Sequence, residues 1–340
     1  MIMELLKERA KRKPMRIVLP EGVENRIIKA SARVVEEGIA KPILLGDEDI
    51  IAERAEDLGL TLKGVELLNP ETSPKMEEYI REYLEFRKGR KINEAIARRI
   101  LRRPIYYGAM MVRMGDADGM VAGAISITAS VIRASLLLIG LQEDITIPSS
   151  FFIMETRNKA VGEDGTLIFA DAAVNPDPTP EQLADIAIAS ARSARTLLGW
   201  EPRVAILSFS TKGSATHPLV DKVIEAVKIA KSKAPDIAID GELQADAALL
   251  PEVARRKIRG EMGRVAGKAN ILIFPDLDAG NIAYKLVQHV CGAGAYGPIL
   301  QGFRKPVSDL SRGAKAEEIV GVITVINILS QGMTQHDGGY

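Results

Sequence analysis

Short apolar runs alternate along the chain with longer amphipathic stretches, the rhythm of strands and crossover helices in a parallel sheet. Near the start, MRIVLPEG predicts a strand and turn, ENRIIKASARVVEEG an amphipathic helix closed by Gly38, and KPILLGD the next strand, together a βαβ unit. Residues 73–103 read as charge-rich helix. YYGAMMVRMGDADGMVAGA then predicts a helix, a turn at 115–118 and a short buried strand ending in Gly123. In the second half SSFFIME and GTLIFADAAV read as strands, PTPEQLA opens a helix, and RVAILSFSTKG, IAIDGELQ and ANILIFPDLDAGN are further strand-then-loop units. The final AEEIVGVITVINILSQ is apolar on nearly every side, which predicts a buried helix. A boundary is expected near 140–148, where a helix gives way to a polar connection.

Composition narrows the class. The chain has 340 residues, enough for two α/β lobes, with 46% apolar and 26% charged residues. Lysine plus arginine and aspartate plus glutamate both number 45, so no net field favours nucleic acid or a membrane surface. One cysteine, Cys291, excludes an internal disulfide, and His217, His289 and His336 are too scattered to suggest a histidine metal site. The opening MIMELLKERAKRKP lacks the apolar core of a secretory signal and reads as a short amphipathic helix; a cytoplasmic location is the expectation.

Ligands of open parallel sheets bind at the carboxyl ends of strands, so the loops after VAGA, FADAA, SFSTKG, DGELQ and FPDLDAGN are the ones to read. The most telling is GPILQGFRKPVSDLSRGAKAEE, in which Ser311, Arg312 and Gly313 precede the buried final helix. A hydroxyl, a guanidinium and a flexible backbone at a helix entrance suit an anion or a developing oxyanion. STKGSA lacks the spacing of a nucleoside-triphosphate loop. Cys291 and His289 stand two apart in a helical stretch and so face different ways, which favours a buried, inert thiol over a nucleophile. The basic clusters at 98–103 and 255–259 read as solvated helix faces.

Seven strings in order, VLPEG, ADGMVAGA, FADAAVNPDPTPEQLADIA, LSFSTKGSA, DGELQADAAL, FPDLDAGNIAYKLVQ and GPILQGFRKPVSDLSRG, make the chain resemble the phosphate acetyltransferases (phosphotransacetylases). The resemblance implies a two-lobed α/β fold of the isocitrate/isopropylmalate dehydrogenase-like type, with parallel or mixed sheets and crossover helices. One lobe would comprise residues 1–142 plus 298–340, the other 143–297, with the active cleft between them. It also implies a homodimer, transfer of an acetyl group between coenzyme A and inorganic phosphate, no catalytic metal, and no cofactor beyond coenzyme A as substrate. Asp276, Asp278 and Asn281 in PDLDAGN are then loop-building residues rather than cation ligands.

The same resemblance assigns roles. Arg312 and Ser311 would meet the phosphate and the tetrahedral oxyanion, and Arg133 and Arg87 match arginines used around phosphate and coenzyme A. Arg133 sits in the apolar VIRASLLLIG, where a buried guanidinium would need an anionic partner. Glu318, seven positions after Ser311, falls where the family commonly has an aspartate that takes the thiol proton; its plainer role is a first-turn acid of the helix. In GAISITASVIRAS, Thr128 keeps a family hydroxyl, while Ser126, Ile127 and Ala134 replace the usual histidine, serine and proline. These departures point to looser phosphate binding or an acyl preference other than acetyl, with neutral drift and local repacking as the plainer alternative. Propionyl or butyryl transfer, or a non-catalytic acetyl-CoA-binding module, are the alternatives. A dehydrogenase is disfavoured because no GxGxxG is present.

Overall fold

The computed structural model describes residues 2–333, so His336 lies outside the described residues. Its strands, in chain order, are β1 (Arg16–Leu19), β2 (Lys41–Leu45), β3 (Glu66–Leu68), β4 (Gly119–Ala122), β5 (Ser149–Glu155), β6 (Thr166–Ala170), β7 (Arg203–Leu207), β8 (Ala238–Leu243), β9 (Ile271–Ile273), β10 (Gly294–Gln301) and β11 (Val307–Asp309). They form two sheets in two compact units, one built from Met3–Gly140 with residues 303–333, the other from Leu141–Gly302 with Ile2. The fold is the mixed α/β type that the alternation predicts.

The first unit has a five-stranded, all-parallel sheet in the order β11-β4-β1-β2-β3. Its central strands β1 and β4 are buried almost throughout because helices cover the sheet. The crossover helix Asn25–Glu36 begins where the Glu24 carboxylate accepts the Arg26 and Ile27 amides, buries Ile27, Ile28 and Val34, and ends before Gly38 at φ 70°. The charged region 73–103 resolves into two helices, Met76–Phe86 and Glu94–Leu101, the second capped by Asn93. Arg98 there pairs with Glu77 and Glu94, the solvated face expected of that cluster.

The last helix, Ala316–Met333, packs on the Asn25–Glu36 helix and on β4 and β1, and residues 319–330 are buried almost without interruption. Its polar groups are satisfied in place: Asn327 Oδ1 accepts the Met15 amide at 2.6 Å, and the Ser330 hydroxyl donates to the Asp118 carbonyl at 2.9 Å. The C-terminal segment thus supplies both the edge strand β11 and a core helix to a unit begun some 300 residues earlier.

The other unit carries a six-stranded mixed sheet in the order β10-β5-β6-β9-β7-β8, antiparallel across β10, β5 and β6 and parallel beyond. Its long helix Pro180–Leu198 opens with a capping box between Thr179 and Gln182 and is buried along most of its length. Asp185 within it is fully buried and accepts from Thr146 and Lys233. One expectation fails here. Cys291 is exposed, because it ends the Leu277–Cys291 helix, whose outer residues Ile282, Leu286 and Val290 face solvent in this chain.

Candidate active site

Because β11, β4 and β1 are neighbours and parallel, three segments distant in sequence meet at their carboxyl ends: Pro20 and Glu21, residues 123–128, and residues 310–313. Gly123 makes the contact possible. It has φ 107°, and a Cβ there would stand 2.2 Å from Asp309 Oδ1 and 2.7 Å from the Leu310 nitrogen. Only glycine lets the β4 loop lie against the β11 turn.

Two side chains tie these segments together. The buried Glu21 carboxylate accepts four successive backbone N–H groups: Gly123 at 2.9 Å and Ala124 at 2.6 Å on Oε2, Ile125 at 3.2 Å and Ser126 at 2.8 Å on Oε1. Arg26, in the first turn of its helix, donates to the carbonyls of Ala124, Arg312 and Ala314 at 3.0, 2.8 and 2.8 Å. One arginine therefore binds the β4 loop and the Ser-Arg-Gly turn to the same helix.

The predicted residues distribute unevenly around this frame. Ser311 and Arg312 are exposed on the turn. The Ser311 oxygen accepts the Gly313 amide at 3.3 Å, which leaves its own proton to donate. The Arg312 guanidinium makes no hydrogen bond or ion pair among the described residues. Glu318 lies in the first turn of the final helix, exposed, and its Oε2 accepts the Lys315 amide at 2.7 Å. That is the plain helix-entry role, and it occupies one carboxylate oxygen.

Thr128 opens the helix Thr128–Leu138 and donates its hydroxyl proton to Asp309 Oδ2. A threonine has one such proton, so donation to a ligand means giving up the Asp309 contact. Arg133 lies farther along the same helix. It is exposed, so the expectation of a buried guanidinium needing a partner does not hold; its charge is free of ion pairs among the described residues because it faces solvent. Arg87 caps the Met76–Phe86 helix, away from the Ser-Arg-Gly turn in all its hydrogen bonds, yet its Nε is buried without a partner.

Asp309 is the electrostatic centre of the frame. It is 2% exposed, and its Oδ1 has no hydrogen-bond partner. Burial pushes its carboxyl up to about 6, helped by the Glu21 charge and opposed by the Thr128 hydroxyl, the Leu310 amide and Arg312. Beside this frame, Pro20, Val23, Leu45, Ile105 and Tyr106 wall a groove of about 420 Å³ that Ile125, Ser126 and Ser130 edge. Ile125 and Ile127 are 58% and 54% exposed, so both branched side chains of the altered stretch face solvent.

In the other unit, buried carboxylates shape the strand-end loops. Glu242 accepts the Ser210 hydroxyl at 3.1 Å and the Gly213 amide at 2.6 Å, which shapes STKGSA. Asp171 likewise gathers Ala173, Val174 and Asn175 amides at 3.1, 3.2 and 2.9 Å. Asp276 caps the Leu277–Cys291 helix and Asn281 donates to the Ala172 carbonyl, which suits loop building for PDLDAGN.

Glu21, Arg26 and Asp309 were not singled out from sequence. Asp309 stands two residues before Ser311, in the same local string. Glu21 and Arg26 act on backbone atoms about a hundred or more residues away, and nothing local marks that.

A family profile described as Phosphate acetyl/butaryl transferase matches residues 1–327. The phosphate acetyltransferase of Thermoanaerobacterium thermosaccharolyticum is 51% identical over 330 residues, covering 97% of this chain and 99% of that protein. The solved structure of a phosphotransacetylase from Streptococcus pyogenes superposes with TM-score 0.90 at 41% identity, covering 98% of each chain. A 4-hydroxythreonine-4-phosphate dehydrogenase structure from Salmonella typhimurium shares the fold alone, with TM-score 0.56 at 13% identity over 93% of this chain and 99% of that one.

Proposed function

The chain belongs to the phosphate acetyl/butaryl transferase family, and from that premise we infer that it moves an acetyl group between acetyl-CoA and inorganic phosphate. It is an acyltransferase, a phosphate acetyltransferase whose substrates are acetyl-CoA or CoA and phosphate or acetyl phosphate. The observation that carries the assignment to this site is the unpaired Arg312 guanidinium on an intact Ser-Arg-Gly turn, held by Arg26 against the β4 loop.

In the direction of acetyl-CoA synthesis, Glu318 takes the thiol proton as sulfur attacks the acetyl carbonyl carbon. The S–C bond forms, the tetrahedral intermediate collapses, and the C–O bond to phosphate breaks; the reverse reaction returns the proton. A thiol is mostly protonated at neutral pH, and a positioned base contributes roughly 10²–10⁴-fold. Arg312 and Arg133 neutralise the phosphate, Arg87 contributes to binding the coenzyme A phosphates, and Ser311 donates to the oxyanion. Thr128 adds a donor when its hydroxyl turns from Asp309 to the ligand. Transfer is direct within a ternary complex, and coenzyme A enters as a substrate rather than a resident cofactor.

The same reading has the protein working in the cytoplasm as a homodimer, with neither nucleic acid nor membrane as partner. The exposed stripe Ile282, Leu286 and Val290, spaced four apart on one helix, favours a pairing surface. No helix among the described residues is long and apolar enough to cross a membrane.

The test is phosphate-dependent release of free CoA thiol from acetyl-CoA, with Arg312→Ala assayed in parallel. We expect turnover that requires phosphate and falls by about 10²–10³-fold in the variant. Binding of acetyl-CoA without turnover would point instead to a regulatory module. Turnover confined to propionyl- or butyryl-CoA would overturn the acetyl assignment alone.

A further inference from the structure

Four consecutive amides converging on one carboxylate form an anion nest, and here the chain fills the nest itself. Oxygens of ionised carboxylates make roughly twice the hydrogen-bond energy of neutral acceptors, so this contact fixes the backbone of 123–126 firmly. That backbone leads directly into Thr128 and the helix bearing Arg133, and at Gly123 it touches the β11 turn that carries Arg312. The amides of 123–126 are consequently committed to the protein.

We propose that Glu21 is a positioning residue for acyl transfer: its carboxylate occupies the nest at 123–126 and so sets the placement of Thr128 and Arg133 against the Ser-Arg-Gly turn. The inference rests on the phosphoacyl-transfer reading for its kinetic consequences, though not for the loop itself. Glu21 touches no reacting atom. Its effect is on geometry, where a displacement of about 1 Å costs on the order of 10²-fold in rate.

Glu21→Gln keeps the shape but turns an amide group toward N–H donors, and Glu21→Ala empties the nest. Both are assayed well below their unfolding temperatures. The expected result for Glu21→Gln is a kcat about 100-fold lower with the KM for acetyl-CoA within about threefold of wild type. In Glu21→Ala, formate, which returns the carboxylate without the Cγ methylene, restores kcat by about tenfold or more in a saturable manner and leaves wild type unchanged. Amide hydrogen exchange at 123–126 rises at least about tenfold in Glu21→Ala and falls again with formate.

The proposal is overturned if the Gln variant retains kcat within about threefold. It is also overturned if formate rescues neither rate nor protection, or if exchange at 123–126 rises no more than elsewhere in the chain. Should the Ala variant fail to fold, the exchange measurement on the Gln variant decides. A wild-type protein without phosphate-dependent CoA release would count against the transferase reading alone, since the exchange result still tells whether Glu21 holds the loop.

Discussion

At the strand ends of the unit bearing the Ser-Arg-Gly turn, Arg133 and Arg312 make no hydrogen bond or ion pair among the described residues, and the buried Asp309 Oδ1 is unpartnered. At the strand ends of the other unit the cations are matched: Lys212 with Asp240 at 2.7 Å, and Lys222 with Asp177 at 2.8 Å. Both units use a buried glutamate to shape a neighbouring loop, Glu21 in the first and Glu242 of β8 in the second. Scaffolding is therefore common to both, and what differs is whether charge is left over. Two uncompensated guanidinium groups on a rigid frame are a standing attraction for a dianion.

The largest expected break in this comparison comes from Glu318. If it takes the thiol proton, Glu318→Gln lowers kcat by roughly 10²–10⁴-fold, while Glu318→Asp retains much more activity. Because the side chain is exposed and contributes one contact to the helix entrance, the melting temperature should change little in either variant. A rate within threefold of wild type in Glu318→Gln would leave the residue as a helix-entry acid only.

Two glycines probe the frames themselves. Gly123→Ala drives a Cβ into Asp309 and the Leu310 backbone and should cost about 3 kcal/mol or more, with activity lost in parallel. Gly213→Ala, at φ 82° with open space around it, should cost only about 1–2 kcal/mol. Denaturant unfolding of both variants makes the comparison. Equal losses would mean that the two strand-end frames are equally tight.

Asp309 sharpens the contrast through pH. Its folded value, about 6, lies above its ordinary 3.8, so the folded chain holds this proton over an interval in which the unfolded chain has released it. The stability it contributes is fully present below about pH 4 and is lost as pH rises through about 6. Asp309→Asn removes that loss. Relative to wild type the variant should gain on the order of 2–3 kcal/mol between pH 4 and pH 8, read from urea midpoints. A pH-independent difference would show that the carboxyl titrates alike in the folded and the unfolded chain.

The smallest effect belongs to the altered stretch before Arg133. Ile127→Ser returns a hydroxyl to an exposed position and should lower the KM for phosphate by about two- to tenfold, the worth of one hydrogen bond. The ratio of acetyl-CoA to butyryl-CoA efficiency, measured alongside, tells whether Ile127 acts on phosphate or on the acyl chain.

Much of this was written in local patterns. The βαβ start, the turn before β4, the capped Pro180–Leu198 helix and the buried final helix all follow from short-range periodicity and capping. The Ser-Arg-Gly turn was likewise legible, since an arginine between a serine and a glycine at a helix entrance is a local signal. The plainer role of Glu318 was legible for the same reason. Burial of single residues was less so. Cys291 lies in an apolar sequence context yet is exposed, and so does Arg133, because the face a helix turns outward is set by what packs beside it.

The chain by itself determined its alternation of strands and helices, its family and the position of its Ser-Arg-Gly turn, because each depends on residues close together in sequence. Tertiary structure alone decided that Glu21 would occupy the amides of 123–126, that Arg26 would clasp the Ser-Arg-Gly turn, and that Asp309 would take the only hydroxyl proton of Thr128. Those contacts join the ends of three neighbouring parallel strands. Their partners are set by strand order, and strand order follows from packing all the helices at once rather than from any one segment.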